Sequence, residues 1–148
     1  MRTVTLFTIG FTRTGAEAFF TLLRDAGVKR VLDIRLNASS QLAGFAKSEN
    51  LRFFLKAICD IEYVPVPELA PTKEMLESYR GGAGDWAEYE RRYRALLEER
   101  KAIEVISREM LDGCCLLCSE HEPERCHRRL AAEYFLERLG NIEIVHLL

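Results

Sequence analysis

Two hydrophobic periods take turns along this chain. Thr3-Val4-Thr5-Leu6-Phe7-Thr8-Ile9 is rich in β-branched and apolar residues and stops at Gly10, the pattern of a strand. Phe19, Leu22, Leu23 and Ala26 then recur at helical spacing. Thr14-Gly15-Ala16-Glu17 reads as a capping box ahead of them, and Gly27 as the stop behind them. Arg30-Val31-Leu32-Asp33-Ile34 is a second strand. A strand, a helix and a strand with short connections predict parallel pairing.

The alternation continues at less regular intervals. Ser48 is expected to cap a helix carrying Leu51, Phe54, Leu55 and Ile58 on one face. Ile61 to Val66 is a short strand closed by Pro65 and Pro67, and Thr72 to Tyr79 is helical. Arg80-Gly81-Gly82-Ala83-Gly84 breaks the pattern and lacks the lysine of a phosphate-binding loop. Asp85 and Glu88 suit the start of a helix with Trp86, Tyr89, Tyr93, Leu96 and Leu97 on its face. Ile103, Ile106 and Met110 carry a helix on to Gly113. Cys114 to Cys118 is an unbroken apolar run, as in a strand covered on both faces. Pro123 fits a first helical position, Leu130, Ala131, Tyr134 and Phe135 form that helix's buried face, and Ile142 to Leu147 is the last strand.

The predicted fold class is α/β, a three-layer α/β/α sandwich around a mostly parallel sheet of about five strands. In such sheets ligands bind beyond the carboxyl ends of the strands. Polar residues just after a strand are therefore the site candidates, and polar residues elsewhere mostly are not.

Composition narrows the reading. The 148 residues suit one domain, and 48% apolar with 30% charged residues argues against disorder. A net charge of −2 gives no support for nucleic-acid binding. Arg91-Arg92 with Arg94, and Arg125 with Arg128-Arg129, could form local basic patches, but their Glu neighbours favour a solvated helical face. No apolar run reaches membrane-spanning length and no signal-peptide pattern is seen, so no membrane partner and a cytoplasmic location are expected. Five cysteines, three of them on one predicted strand, make a poor disulfide framework, and reduced thiols are expected.

The segment Cys118 to Arg128 passes the positional test with the most chemistry. It packs two thiols, two imidazoles, three carboxylates and two guanidiniums into eleven residues. Cys126 and His127 are expected in the first turns of the following helix, whose positive end favours a thiolate. Cys118 or Cys126 would be the nucleophile, with Glu120 or His127 moving protons. The competing reading is a pair of inert buried thiols. A third reading is zinc held by Cys118, His121, Cys126 and His127. The spacing is not that of a finger, and consecutive helical residues point about a quarter-turn apart, so metal ligands are not assigned. A cysteine-phosphatase loop would need arginine at position 124, where Glu stands.

Asp33 and Arg35 share one side of their strand. They are either a structural ion pair or a substrate anchor, because guanidinium binds carboxylate or phosphate through two hydrogen bonds. Ser39 and Ser40 follow in the next loop. His146 reads as a satisfied core or edge histidine.

Thr8-Ile9-Gly10, Asp33-Ile34-Arg35 with Ser39, Cys118-x-Glu120 and Cys126-His127-Arg128 occur in an order that resembles the family catalogued as domain of unknown function 488. The resemblance runs from about Thr8 to Phe135 and implies a compact α/β domain with these motifs as its distinctive polar residues. It does not imply a reaction. The family's first motif usually continues His-Ser, where this chain has Phe11-Thr12. In the second motif Ala38 replaces the usual proline, and Gln41 stands near the usual arginine.

The expectation is an enzyme, of hydrolase or transferase type, acting on a small anionic or nucleotide-like molecule. Cys118, Glu120, Cys126 and His127 would carry the chemistry, with Asp33, Arg35, Ser39, Arg128, Gly10 and Thr12 binding the substrate. A non-catalytic module binding a nucleotide, a nucleic acid or a protein is the alternative, together with the zinc reading. No cofactor and no oligomeric state are assigned.

Overall fold

The computed structural model describes residues 2–12, 14–36, 44–80, 85–119 and 126–148. Along the chain run β1 (Val4–Gly10), α1 (Ala16–Asp25), β2 (Arg30–Asp33), α2 (Ser48–Phe54), β3 (Glu62–Pro65), α3 (Lys73–Arg80), α4 (Trp86–Glu99), α5 (Arg108–Leu111), β4 (Cys114–Cys118), α6 (His127–Leu139) and β5 (Ile142–Leu147). The five strands form one sheet in the order β3-β2-β4-β1-β5, and every pairing is parallel. This is the expected α/β architecture, with a sheet wholly rather than mostly parallel. No described helix is long and apolar enough to cross a membrane.

Each sheet face has its own core. Phe19, Phe20 and Leu23 of α1 and Leu51 of α2 pack on Ile9, Val31, Cys115 and Leu117. On the opposite face, Tyr89, Tyr93 and Leu97 of α4 and Leu130, Ala131 and Phe135 of α6 pack on Leu6, Leu32, Cys114 and Leu116. The alternation along β4 follows from strand geometry, with Cys114 and Leu116 on one face and Cys115 and Leu117 on the other. Being covered on both sides, β4 has no use for polar residues.

Local chemistry sets the element ends. Helix α1 closes as a Schellman motif: Gly27 N–H donates to Arg24 O at 3.1 Å and Val28 N–H to Leu23 O at 3.2 Å. Gly27 takes φ +75°, which only glycine adopts without a Cβ penalty. The start of α1 differs from the predicted capping box. Gly15 is the N-cap with no side-chain hydrogen bond, and the Thr14 hydroxyl faces the Thr12 carbonyl at 3.5 Å. Thr72 and Asp85 do cap their helices, accepting from Met75 N and Ala87 N at 3.1 Å each.

Two helical expectations are corrected. Ser48 is the first residue of α2 and Lys47 the N-cap. Beyond Phe54 the helix widens into a π-helical turn, Leu55–Cys59, ending at left-handed Asp60. That turn breaks the regular spacing, so Ile58 is 49% exposed while Leu51 and Leu55 are fully buried. The helix expected through Ile103, Ile106 and Met110 is interrupted. Lys101 is left-handed, a 3-10 turn covers Ala102–Glu104, and Ser107 caps a new short helix by accepting from Met110 N at 3.2 Å.

The strand order positions the site. Strands β1 and β4 are neighbours, but α1 leaves β1 over one face and α6 leaves β4 over the other. In open parallel sheets ligands usually bind where helices diverge in this way, which here is at the carboxyl ends of β1 and β4.

Candidate functional site

Backbone hydrogen bonds stitch the three strand ends together. Gly10 pairs with Cys118, and Asp33 with Leu117. Ile34 N donates to Leu117 O at 3.2 Å and Thr12 N to Ser119 O at 3.0 Å, and the Thr12 hydroxyl donates to that same carbonyl. Gly10 contributes its place in the register, and Thr12 ties the end of β1 to the end of β4.

On the α1/α2 face, Asp33 and Arg35 form a pair whose side chains are 1% and 2% exposed. Arg35 donates Nε to Asp33 Oδ1 at 2.8 Å, Nη2 to Oδ2 at 2.7 Å and its backbone N to Oδ1 at 3.1 Å. The Tyr63 hydroxyl adds a fourth donor, to Oδ2 at 2.5 Å. The carboxylate is then saturated, since two oxygens offer about four lone-pair sites. Burial raises the Tyr63 phenol well above its ordinary range, reinforced by its hydrogen bond to the Asp33 carboxylate. Arg35 is not saturated: its Nη1 is buried with no partner among the described residues. The Phe11 ring lies 5.4 Å from the Arg35 guanidinium carbon and meets Phe45 edge-on.

On the α6 face lies a second buried guanidinium. Arg128, grouped by sequence with a solvated basic patch, is fully buried and is the largest such side chain among the described residues. Its Nε donates to Thr8 Oγ1 at 3.3 Å and its Nη1 to Cys118 Sγ at 3.4 Å. Thr8 lies 2.6 Å from His146 Nδ1 through the same hydroxyl oxygen. The Thr8 hydroxyl accepts from Arg128 and still has its own proton, which it can donate to Nδ1 of a neutral His146. Burial lowers the His146 pKa, and the Arg128 charge lowers it further. Arg125 lies outside the described residues, and the other described arginines of the suspected patches pair with glutamates: Arg91 with Glu88, Arg92 with Glu74, Arg94 with Glu90, Glu133 and Glu137, and Arg129 with Glu90 and Glu133.

Cys118, Cys126 and His127 converge where these elements meet. All three are buried, and their ligand atoms lie within 4.8 Å of one another. The quarter-turn argument against their meeting assumed two helical residues. Cys126 instead is the N-cap, with extended φ −137° and ψ 142°, so its side chain leaves in a different direction from a helical one. Cys118 and Cys126 are joined sulfur to sulfur, with Cα atoms 7.6 Å apart, whereas all cysteines were expected as free thiols. His127 Nε2 lies 2.7 Å from Ile34 O, and a carbonyl can only accept, so Nε2 carries the proton. The Tyr93 ring packs against the imidazole at 5.5 Å between centroids.

The remaining cysteines are free and are not part of this cluster. Burial pushes the Cys114 thiol up to about 11 and the Cys115 thiol far above its usual value, so both stay protonated core groups. Trp86, Tyr89 and Tyr93 stack as core rather than as a base-binding platform, with Tyr89 and Tyr93 buried. Glu120, His121, Ser39, Ser40 and Gln41, like the predicted helix start at Pro123, lie outside the described residues.

Sequence reasoning brought Asp33 to Arg35, and Cys118 to Cys126, His127 and Arg128. It missed Tyr63 and Thr8 as partners of those groups. Thr8 carried a signal, being a hydroxyl within an otherwise apolar strand. Tyr63 carried none, because an aromatic residue in a strand is ordinary.

No curated protein and no solved structure matches this chain. A family model does match, over residues 15–135, which takes in Asp33, Arg35, the cysteine cluster and Arg128. The chain belongs to the family described as domain of unknown function DUF488.

Proposed function

We propose that this protein is an enzyme acting on a small anionic or nucleotide-like molecule, whose charged group is received by Arg35. The observation that carries this reading is Arg35 Nη1, buried with no hydrogen-bond partner among the described residues. A buried donor left without an acceptor costs about 1–3 kcal/mol, and more when charged. Here Asp33, itself held by Tyr63, engages the guanidinium by its other edge, so Nη1 is fixed before any ligand arrives. Such preorganisation is what an anion anchor needs.

The reacting groups of this reading are Cys118 and His127. The Arg128 guanidinium donates to the Cys118 sulfur, an arrangement that favours thiolate over thiol once the pair with Cys126 is reduced. His127 carries one proton on Nε2 and can exchange another at Nδ1. Phe11 covers one side of Arg35, so the anion approaches the guanidinium at its edge rather than over that face.

The test is a thermal-shift panel of inorganic phosphate, nucleotides and small carboxylates against reduced wild-type protein and Arg35→Lys. Lysine keeps the charge but lacks the fork that engages Asp33 and presents a third nitrogen. Stabilisation by an anion in the wild type, lost in the variant, is the expected result. Equal responses in the two proteins, or none in either, would overturn the assignment of Arg35 as anchor.

A further inference from the structure

We propose that Cys118, Cys126 and His127 form a binding site for a thiophilic metal ion, zinc or a chemically similar divalent ion. The inference rests on the reading above of this cluster as the reacting centre, and it changes the role of one residue within it. With the ion bound, Cys118 is a ligand rather than a nucleophile, while Arg35 keeps its role.

Three features of the geometry support this. The first is the ligand set. Two sulfurs and an imidazole nitrogen lie within 4.8 Å of one another in a buried position. Zinc at about 2.3 Å from sulfur and 2.0 Å from nitrogen holds its tetrahedral ligand atoms about 3.6–3.8 Å apart, so shifts of about 1 Å complete the site.

The second is the backbone span. The Cα atoms of Cys118 and Cys126 are 7.6 Å apart, and beyond about 7 Å a disulfide does not close without backbone movement. An intervening ion moves the two sulfurs apart by roughly 1.7 Å relative to a direct bond, which suits a wider span. Binding therefore requires the reduced pair.

The third is what surrounds the ligands. Histidine ligands commonly donate their second nitrogen to a carbonyl or carboxylate, which fixes the ring and its tautomer. His127 Nε2 does this to Ile34 O at 2.7 Å, making Nδ1 the ligating nitrogen. Arg128 Nη1 donates to the Cys118 sulfur at 3.4 Å, and a guanidinium there stabilises the anionic form that metal binding requires. Two thiolates and a neutral imidazole cancel a divalent charge and leave a fourth tetrahedral position for water, substrate or another residue.

The probe is Co²⁺ added to the reduced full-length protein, read by thiolate-to-cobalt charge-transfer absorption, with Zn²⁺ then added as competitor. One ion per chain is expected, with a band that zinc abolishes. The band should disappear in Cys126→Ser, weaken and shift in His127→Gln, and survive in Cys59→Ser and Cys114→Ser. Slower alkylation of Cys118 and Cys126 in zinc-loaded wild-type protein gives a readout independent of whether those variants fold. No band and no protection in reduced, folded protein would overturn the proposal, as would a band unaffected by both Cys126→Ser and His127→Gln. The two readings separate cleanly. An Arg35-dependent anion response without a cobalt band removes the metal alone, and a cobalt band without that response removes the anion anchor alone.

Discussion

Replacing Tyr63 with phenylalanine deletes one oxygen and leaves the apolar packing of the ring in place. The lost bond is a 2.5 Å donation to Asp33 Oδ2, made where Tyr63 is 7% exposed and Asp33 3%. Hydrogen bonds to charged groups contribute about 1.5–3 kcal/mol. Because Arg35 Nη2 still serves the same oxygen at 2.7 Å, Oδ2 is not orphaned, and a loss of about 2 kcal/mol is expected. For a chain of this length that corresponds to a fall in Tm of roughly 4–8 °C. Asp33→Asn provides the scale, because it leaves a buried guanidinium without its countercharge and should cost about 3–5 kcal/mol. Urea unfolding followed by tryptophan fluorescence measures both, and the midpoint should move without a change in slope. The Tyr63 pKa adds a signature. Its folded value lies above the ordinary value of 10.0, so the unfolded chain ionises first as pH rises. Wild-type stability should fall above about pH 10, and Tyr63→Phe should lack that part of the fall. A midpoint for Tyr63→Phe within about 0.5 kcal/mol of wild type would refute the view that Tyr63 holds the pair.

Other expectations follow from single contacts. His146→Asn keeps an acceptor for Thr8 and removes a titrating ring. The folded His146 pKa is depressed below 6.5, so the unfolded wild-type chain gains a proton that the fold resists, and stability falls as pH drops through about 6.5. A variant retaining the whole of that slope would contradict the assignment. Arg128→Lys cannot serve Thr8 and Cys118 together and should lose about 1.5–3 kcal/mol in chemical denaturation, whereas an unchanged midpoint would show those bonds to be dispensable. Gly113→Ala should cost about 1–2 kcal/mol, because φ is +81° there. The three atoms nearest the new Cβ all belong to the flexible Lys29 side chain, so a loss far above that range would show a clash that the backbone cannot relieve.

Strands were the most legible elements. Cys114–Cys118 has the boundaries its apolar run predicts, because a strand covered on both faces must be apolar along its length, and the edge strand Ile142–Leu147 also has its predicted boundaries. Helix ends were less legible, since several geometries satisfy the same free N–H groups. Thr14 and Glu17 have the chemistry of a capping box, yet Gly15 takes the cap position. Ile58 has the right spacing for a buried face, but no residue type announces the π-helical turn that exposes it. At the site, Asp33 and Arg35 could be paired from spacing alone, since residues two apart on a strand share a face. Two relations are set by the packing of α6 against the sheet and had no local signal: Arg128 reaching Thr8, and His127 reaching Ile34 O. The extended backbone at Cys126 was decisive for the cluster, and residue type does not specify it.

Strand β4 lies between β1 and β2, although the chain reaches it only after β3 and three further helices have been made. The first strand–helix–strand unit therefore cannot zip up by itself, because its two strands leave a slot that another strand must fill. During synthesis the amino-terminal half would emerge with both slot edges unsatisfied, an invitation to wrong partners until β4 arrives. Filling the slot closes the sheet and brings Cys118 beside Gly10 and Leu117 beside Asp33 in the same event. A chain that stops before Cys114 would thus lack the centre of its sheet as well as its cysteine cluster. Folding should be limited by these distant pairings rather than by helix formation.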